Sequence, residues 1–148
     1  MSEVRVQEVY RGRVVHLVTE SFTLPNGRPV TLEMVRHPGA AAIVPVNDAL
    51  EVLLIKQYRH AAGGFIYEVP AGTLHPGEAP EACAARELTE EAGVRAGRLE
   101  RLGSIFTTPG FTDEVIHLFL ARDLEPASQA LDADEVLSVE TVSMQPDR

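Results

Sequence analysis

The stretch from Gly72 to Val94, GTLHPGEAPEACAARELTEEAGV, constrains this chain more than any other. It sets three carboxylates, Glu87, Glu90 and Glu91, at helical spacing behind a loop bearing glycine and proline. A helix advances about 100° per residue, so these side chains fall within an arc of roughly 100°. Like charges so placed weaken a helix by about 0.2–0.5 kcal/mol per pair. A helical face kept only for solvation is expected to interleave Lys or Arg. This face instead invites a shared positive charge, such as a divalent cation.

The same stretch marks its own helix ends. Pro80 suits the first turn, where its missing N–H costs nothing, and Glu78 and Glu81 complement the positive end of the dipole. Gly93 fits the left-handed position that closes a helix. Ala82, Ala84, Ala85 and Leu88 supply helix propensity and a narrow apolar side for close packing on a sheet. The spacing predicts a helix over Pro80 to Ala92, entered through a loop from Gly72 to Gly77.

Written as a pattern, the stretch is Gly-x5-Glu-x7-Arg-Glu-Leu-x-Glu-Glu-x-Gly-Val. It resembles the signature box of the Nudix hydrolases at all nine specified positions. The resemblance implies an α/β Nudix fold, a mixed β-sheet sandwiched between helices. It also implies hydrolysis of a nucleoside diphosphate linked to another moiety, dependent on Mg2+ or Mn2+.

Composition fits that class. A chain of 148 residues with 45% hydrophobic content can bury a core as one domain. A net charge of −9 argues against nonspecific binding to nucleic acid or an anionic membrane, both of which need a basic surface. A polyanionic substrate must then be met by a metal and a few local arginines. The single cysteine, Cys83, excludes an internal disulfide and is expected to be buried mid-helix, not reactive. No targeting segment or membrane-spanning run is apparent, so a cytoplasmic location is expected.

Three β-rich pieces open the chain: Val4–Tyr10, Arg13–Leu24 and Val30–Arg36, the last two joined by a Pro25-Asn26-Gly27-Arg28 turn. Ala40–Val46 reads as a buried strand, followed by strands over Glu51–Tyr58 and Phe65–Val69. Beyond the helix, Leu99–Phe106, Glu114–Ala121 and Val136–Val142 complete the set. The expected organisation is a single domain, with residues 1–36 as an antiparallel extension and 37–148 as the catalytic core. Isolated hairpins are marginal in water, so the extension needs partner surface, and related ADP-ribose hydrolases imply a homodimer. The resemblance also leads to an expected C-terminal helix, for which Met144–Arg148 is too short.

The resemblance assigns roles residue by residue. Glu87 and Glu91 correspond to the principal metal ligands, Glu90 to a further or alternating one, and Ala71 to a backbone carbonyl ligand. Arg86 stands four residues before Glu90 and is read as support for the cluster, with Glu78 fixing the loop. The catalytic base in relatives comes from a late loop, which points here to Glu135, then Asp134, with Glu114 behind them. Arg59, in Gln57-Tyr58-Arg59, resembles a phosphate-binding arginine. Pro109 and Phe111, in Thr108-Pro109-Gly110-Phe111-Thr112-Asp113-Glu114, resemble the substrate loop of ADP-ribose pyrophosphatases. Glu33 and Arg36 resemble contacts to the nucleoside half. The absence of Trp leaves the adenine stacking partner open.

These assignments lead to hydrolysis of ADP-ribose to AMP and ribose 5-phosphate. Another nucleoside diphosphate sugar, such as GDP-mannose or ADP-glucose, is the neighbouring alternative. A nucleoside triphosphate sanitising enzyme is third, disfavoured by the N-terminal β extension and the Pro109 loop, and a noncatalytic domain that senses ADP-ribose is an alternative of another class, set back by the retention of every box glutamate.

Overall fold

The computed structural model describes residues 3–145. The strands are β1 (Arg5–Arg11), β2 (His16–Thr23), β3 (Pro29–Arg36), β4 (Ala40–Pro45), β5 (Glu51–Arg59) and β6 (Gly64–Glu68). They continue with β7 (Ala71–Thr73), then helix α1 (Pro80–Ala92), and β8 (Val94–Phe106), β9 (Val115–Pro126) and β10 (Leu137–Ser143). The chain forms two compact units: residues up to Gly39 with Phe106–Val115, and Ala40–Ile105 with the chain from Ile116 onward.

The first unit is built on an antiparallel sheet in the order β1-β2-β3. The Asn-Gly turn works as its residues dictate. Gly27 sits at φ 86°, and Asn26 Oδ1 accepts from the Arg28 N–H at 3.1 Å, closing the β2–β3 hairpin. A parallel bridge joins Val35 to Thr112, so the Thr107–Glu114 loop lies along the end of β3.

The second unit holds two sheets, β10-β5-β6 and β7-β4-β9-β8. The latter is mixed, because β4 runs parallel to β9 and antiparallel to β7. The apolar run Ala40–Val46 makes β4 a central, buried strand. Helix α1 lays Cys83, Ala84, Leu88 and Ala92 against Ala41, Ile43, Phe119 and Ala121 to form the core. The small residues of that stripe let the helix sit close to the sheet, which brings its acidic residues down onto β7.

Helix α1 spans Pro80–Ala92 with Gly93 at φ 66°, as the box predicts. Several features differ from expectation, among them β9, which runs on to Pro126 instead of ending at Ala121, and β2, which starts at His16 instead of Arg13. Ala71–Thr73 is strand, not loop, because it pairs with Ala40–Ala42. Strand β8 begins at Val94 rather than Leu99, since Val94 and Ala96 pack against the core with Leu99. Among the described residues α1 is the only α-helix, so they do not supply a second helical layer. No other segment carries a 3.6-residue apolar period, and residues 146–148 lie outside the described range. No helix of the described residues is long and apolar enough to cross a membrane.

Candidate active site

The box glutamates are organised by one arginine. Arg86 Nε and Nη2 donate to the two oxygens of Glu78 at 2.9 and 3.0 Å, a bidentate pair. Its Nη1 donates to Glu87 Oε1 at 2.7 Å and Glu90 Oε2 at 3.1 Å, and Nη2 also reaches the Thr73 carbonyl at 3.1 Å. One guanidinium therefore ties the loop carboxylate, two helix carboxylates and β7 together. Glu78 is held down at about 2, chiefly by Arg86 and then by the His75 N–H. The expected Arg86–Glu90 pair is present, and the bidentate pair with Glu78 is added to it.

Gly72 and Glu87 fit each other. A Cβ on Gly72 would lie 2.0 Å from Glu87 Cδ and Oε1, so the carboxylate rests directly on the glycine backbone. Gly72 is a glycine for space, because its φ lies outside the left-handed range.

Glu91 is 4% exposed, and its Oε2 accepts the Ala71 N–H at 3.0 Å. Burial pushes its carboxyl up to about 8, against the Ala71 N–H, and the charges of Glu87 and Glu135 push the same way. Burial also raises Glu87, opposed by Arg86 and reinforced by Glu90 and Glu135. The two carboxylates are thus short of positive charge, the condition a hard cation relieves.

Glu135 reaches this group through the end of α1. Ala127 N–H donates to Gly93 O at 2.8 Å, Gln129 Nε2 to Glu91 O at 2.6 Å, and Ala130 N–H to Glu90 O at 2.9 Å. The segment after β9 therefore satisfies the last carbonyls of the helix. The chain then turns at Asp132, whose N–H donates to Glu135 Oε1 at 2.8 Å, and the charge of Glu135 reaches Glu91.

Arg59 faces the same group. Its Nε and Nη2 are each 3.0 Å from a different oxygen of Glu68, which leaves Nη1 uncommitted to that partner. Hydrogen bonding to Glu68 raises its already high pKa, and the charges of Glu91 and Glu135 add to this. Glu68 was not singled out in the sequence; a carboxylate nine residues after an arginine carries no local signal.

The remaining candidates belong to the first unit. Arg36 is engaged by Glu20 and by Asp113 Oδ2 at 3.2 Å, while Asp113 Oδ1 accepts the His37 N–H at 2.7 Å. Phe111 O accepts the Val35 N–H at 2.7 Å, and Thr112 Oγ1 donates to Val35 O at 2.8 Å. Arg36 thus clamps the loop that carries Pro109 and Phe111. Glu33, Pro109 and Phe111 are exposed. Glu114 accepts from Thr107 Oγ1 at 2.8 Å and faces His37 Nε2 at 3.5 Å, so it has structural partners of its own.

Among the described residues, no three His, Cys, Asp or Glu side chains are gathered into a ready metal cage. The donor set nonetheless fits a hard cation. Its donors are all oxygens, Glu91 is buried and Glu87 half-buried with both in want of positive charge, and Arg86 Nη1 already bridges Glu87 and Glu90.

The NUDIX domain profile matches residues 35–146. This chain belongs to the Nudix family. An ADP-ribose pyrophosphatase of Bacillus subtilis is 40% identical over 141 residues, covering 94% of this chain and 76% of the relative. A methanol dehydrogenase activator of Bacillus methanolicus is 38% identical over 141 residues, covering 95% and 76%. A solved structure described as an ADP compounds hydrolase superposes with a TM-score of 0.84 at 27% identity, covering 97% of this chain and 78% of its own. The Nudix fold and the reading of Gly72–Val94 as a Nudix box stand on these matches.

Proposed function

We propose that this Nudix protein is a metal-dependent pyrophosphohydrolase whose substrate is ADP-ribose. The observation that carries this reading is the seating of Glu87 on Gly72 and of buried Glu91 on the Ala71 N–H, with the charge of Glu135, from a distant loop, reaching both. Relatives named for ADP-ribose and ADP compounds support the substrate class.

Mg2+ or Mn2+ would be held by Glu87, Glu91, Glu90 and the Ala71 carbonyl, and when bound supplies charge neutralisation for the pyrophosphate oxygens. The protein's own residues do the rest. Arg59, steadied by Glu68, offers Nη1 to a phosphate oxygen. Glu135 accepts a proton from the attacking water. A new P–O bond forms, the bridging P–O bond breaks, and AMP and ribose 5-phosphate leave. Arg86 and Glu78 hold the box in shape and touch no reacting atom. On the resemblance alone, Glu33, Arg36, Pro109 and Phe111 are proposed as substrate contacts.

A homodimer is also proposed. Every residue of β1 is exposed, including Val6 at 55% and Tyr10 at 60%, an apolar edge that a partner copy would cover. A monomer by light scattering at micromolar concentration would remove that part.

The test is steady-state hydrolysis of ADP-ribose, ADP-glucose and GDP-mannose with Mg2+, for wild type and Glu135→Gln. ADP-ribose is expected to have the highest kcat/KM, and the variant to lose about 10²-fold or more in kcat. A tenfold preference for a hexose nucleotide would displace ADP-ribose. A wild type that binds ADP-ribose tightly without turnover would make the domain a sensor.

A further inference from the structure

Gln57 lies on β5, between Ile55 and Arg59 on one face of the strand. Its side chain is 5% exposed, and Oε1 is a buried oxygen with no hydrogen-bond partner among the described residues. Leaving a buried amide oxygen unpaired costs about 1–3 kcal/mol, which an apolar side chain at this place would avoid.

The register says what surrounds it. Side chains alternate along β5, so Ile55, Gln57 and Arg59 share one face. Across the β5–β6 ladder, Ile55 pairs with Glu68, Gln57 with Ile66, and Arg59 with Gly64. The Arg59–Glu68 ion pair therefore brackets the Gln57 rung. On the other side, Gln57 pairs with Leu137, two positions after Glu135, and Tyr58 N–H donates to Val136 O at 3.0 Å. Arg59, on the same face as Gln57, feels the charges of Glu91 and Glu135. Helix α1 packs against β5 as well. The unpaired oxygen thus belongs to the wall of the carboxylate group.

We propose that Gln57 is a positioning residue for the hydrolysis, its Oε1 accepting one hydrogen of the attacking water. This rests on the pyrophosphohydrolase reading given above. The water's other hydrogen goes to Glu135, its lone pair forms the new P–O bond, and the bridging P–O bond breaks to release the second phosphate. A neutral amide suits the task. It orients a water without adding a further negative charge to Glu87, Glu91 and Glu135, which already repel one another.

Gln57→Met keeps the length of the side chain and removes the acceptor. Wild type and Q57M are compared for ADP-ribose hydrolysis at saturating Mg2+ and for melting temperature. Q57M is expected to lose ten- to a hundredfold in kcat, with KM within twofold. Its Tm is expected to equal or exceed that of wild type, because an unpaired buried oxygen has gone. A kcat within twofold of wild type would overturn the proposal. So would a loss accompanied by a Tm lowered by more than about 5 °C or by failure to fold, which would assign Gln57 to packing. A wild type without turnover would overturn both this inference and the functional reading, whereas an active wild type beside an equally active Q57M would overturn this inference alone.

Discussion

Gly72→Ala tests how tightly the Glu87 carboxylate, a proposed metal ligand, is held. The backbone there takes an alanine without strain, since its φ is not left-handed. The nearest obstacle is Glu87, whose Cδ and Oε1 would lie 2.0 Å from the new Cβ, where ordinary contact begins near 3.4 Å. The carboxylate must retreat about 1.4 Å, and its 2.7 Å bond from Arg86 Nη1 must stretch or follow. Misplacing a catalytic group by about 1 Å costs on the order of 10²-fold, so kcat should fall by about that factor. Stability should fall by no more than about 2.6 kcal/mol: overpacking costs about 1–3 kcal/mol, partly offset by about 0.4–1 kcal/mol from restricting the unfolded chain. Release of AMP at saturating Mg2+ and calorimetric melting read the two quantities separately. Glu87→Asp draws the carboxylate back by one methylene, so G72A should add little further loss on that background. Strictly additive losses, or a G72A enzyme with wild-type kcat, would show that contact between Gly72 and Glu87 does not set the carboxylate's position.

Arg86→Gln should lower stability by about 2 kcal/mol in chemical denaturation, because Glu78 and Glu87 lose their shared partner, and Arg86→Lys should recover little of it without the bidentate fork. In the presence of a chelator, the melting temperature should fall as pH rises from about 4.5 to about 8: folded Glu91 keeps a proton that the unfolded chain releases, so ionising it costs stability. That loss is at most about 5 kcal/mol, and added Mg2+ should flatten the dependence; a chelated protein equally stable at pH 5 and 8 would contradict it. Glu78 acts with the opposite sign, its stabilisation present above pH 4.5 and lost as pH falls toward about 2. Cys83 is buried and raised to about 11, chiefly by desolvation, so the native protein should resist thiol reagents at pH 8 and react only on unfolding.

The elements legible in the sequence were those whose pattern is local. Helix α1 announced itself by its apolar stripe, Pro80 and Gly93, and the β2–β3 hairpin by Asn26-Gly27. Strand β7 was illegible because three residues carry no periodicity; pairing with Ala40–Ala42 makes it a strand. The first five residues of β8 were missed because their apolar character is weak until Val94 and Ala96 meet the core. At the site, Glu87, Glu90 and Glu91 follow from spacing alone. Arg59 did not disclose its restraint by Glu68, nor Arg36 its engagement with Glu20 and Asp113, since those partners are remote or on another strand.

Taken alone, the order of residues decided that an acidic helix would form behind a glycine loop, because helical spacing and end-capping are properties of near neighbours. Tertiary structure decided which of those acids would be stripped of water and which distant acid would join them. Glu91 is desolvated only because small residues let α1 settle onto the sheet. The charge of Glu135 reaches it because Ala127, Gln129 and Ala130 bind the carbonyls at the end of that helix. Desolvation and long-range charge depend on what surrounds a group in space, and neither is written in the residues beside it.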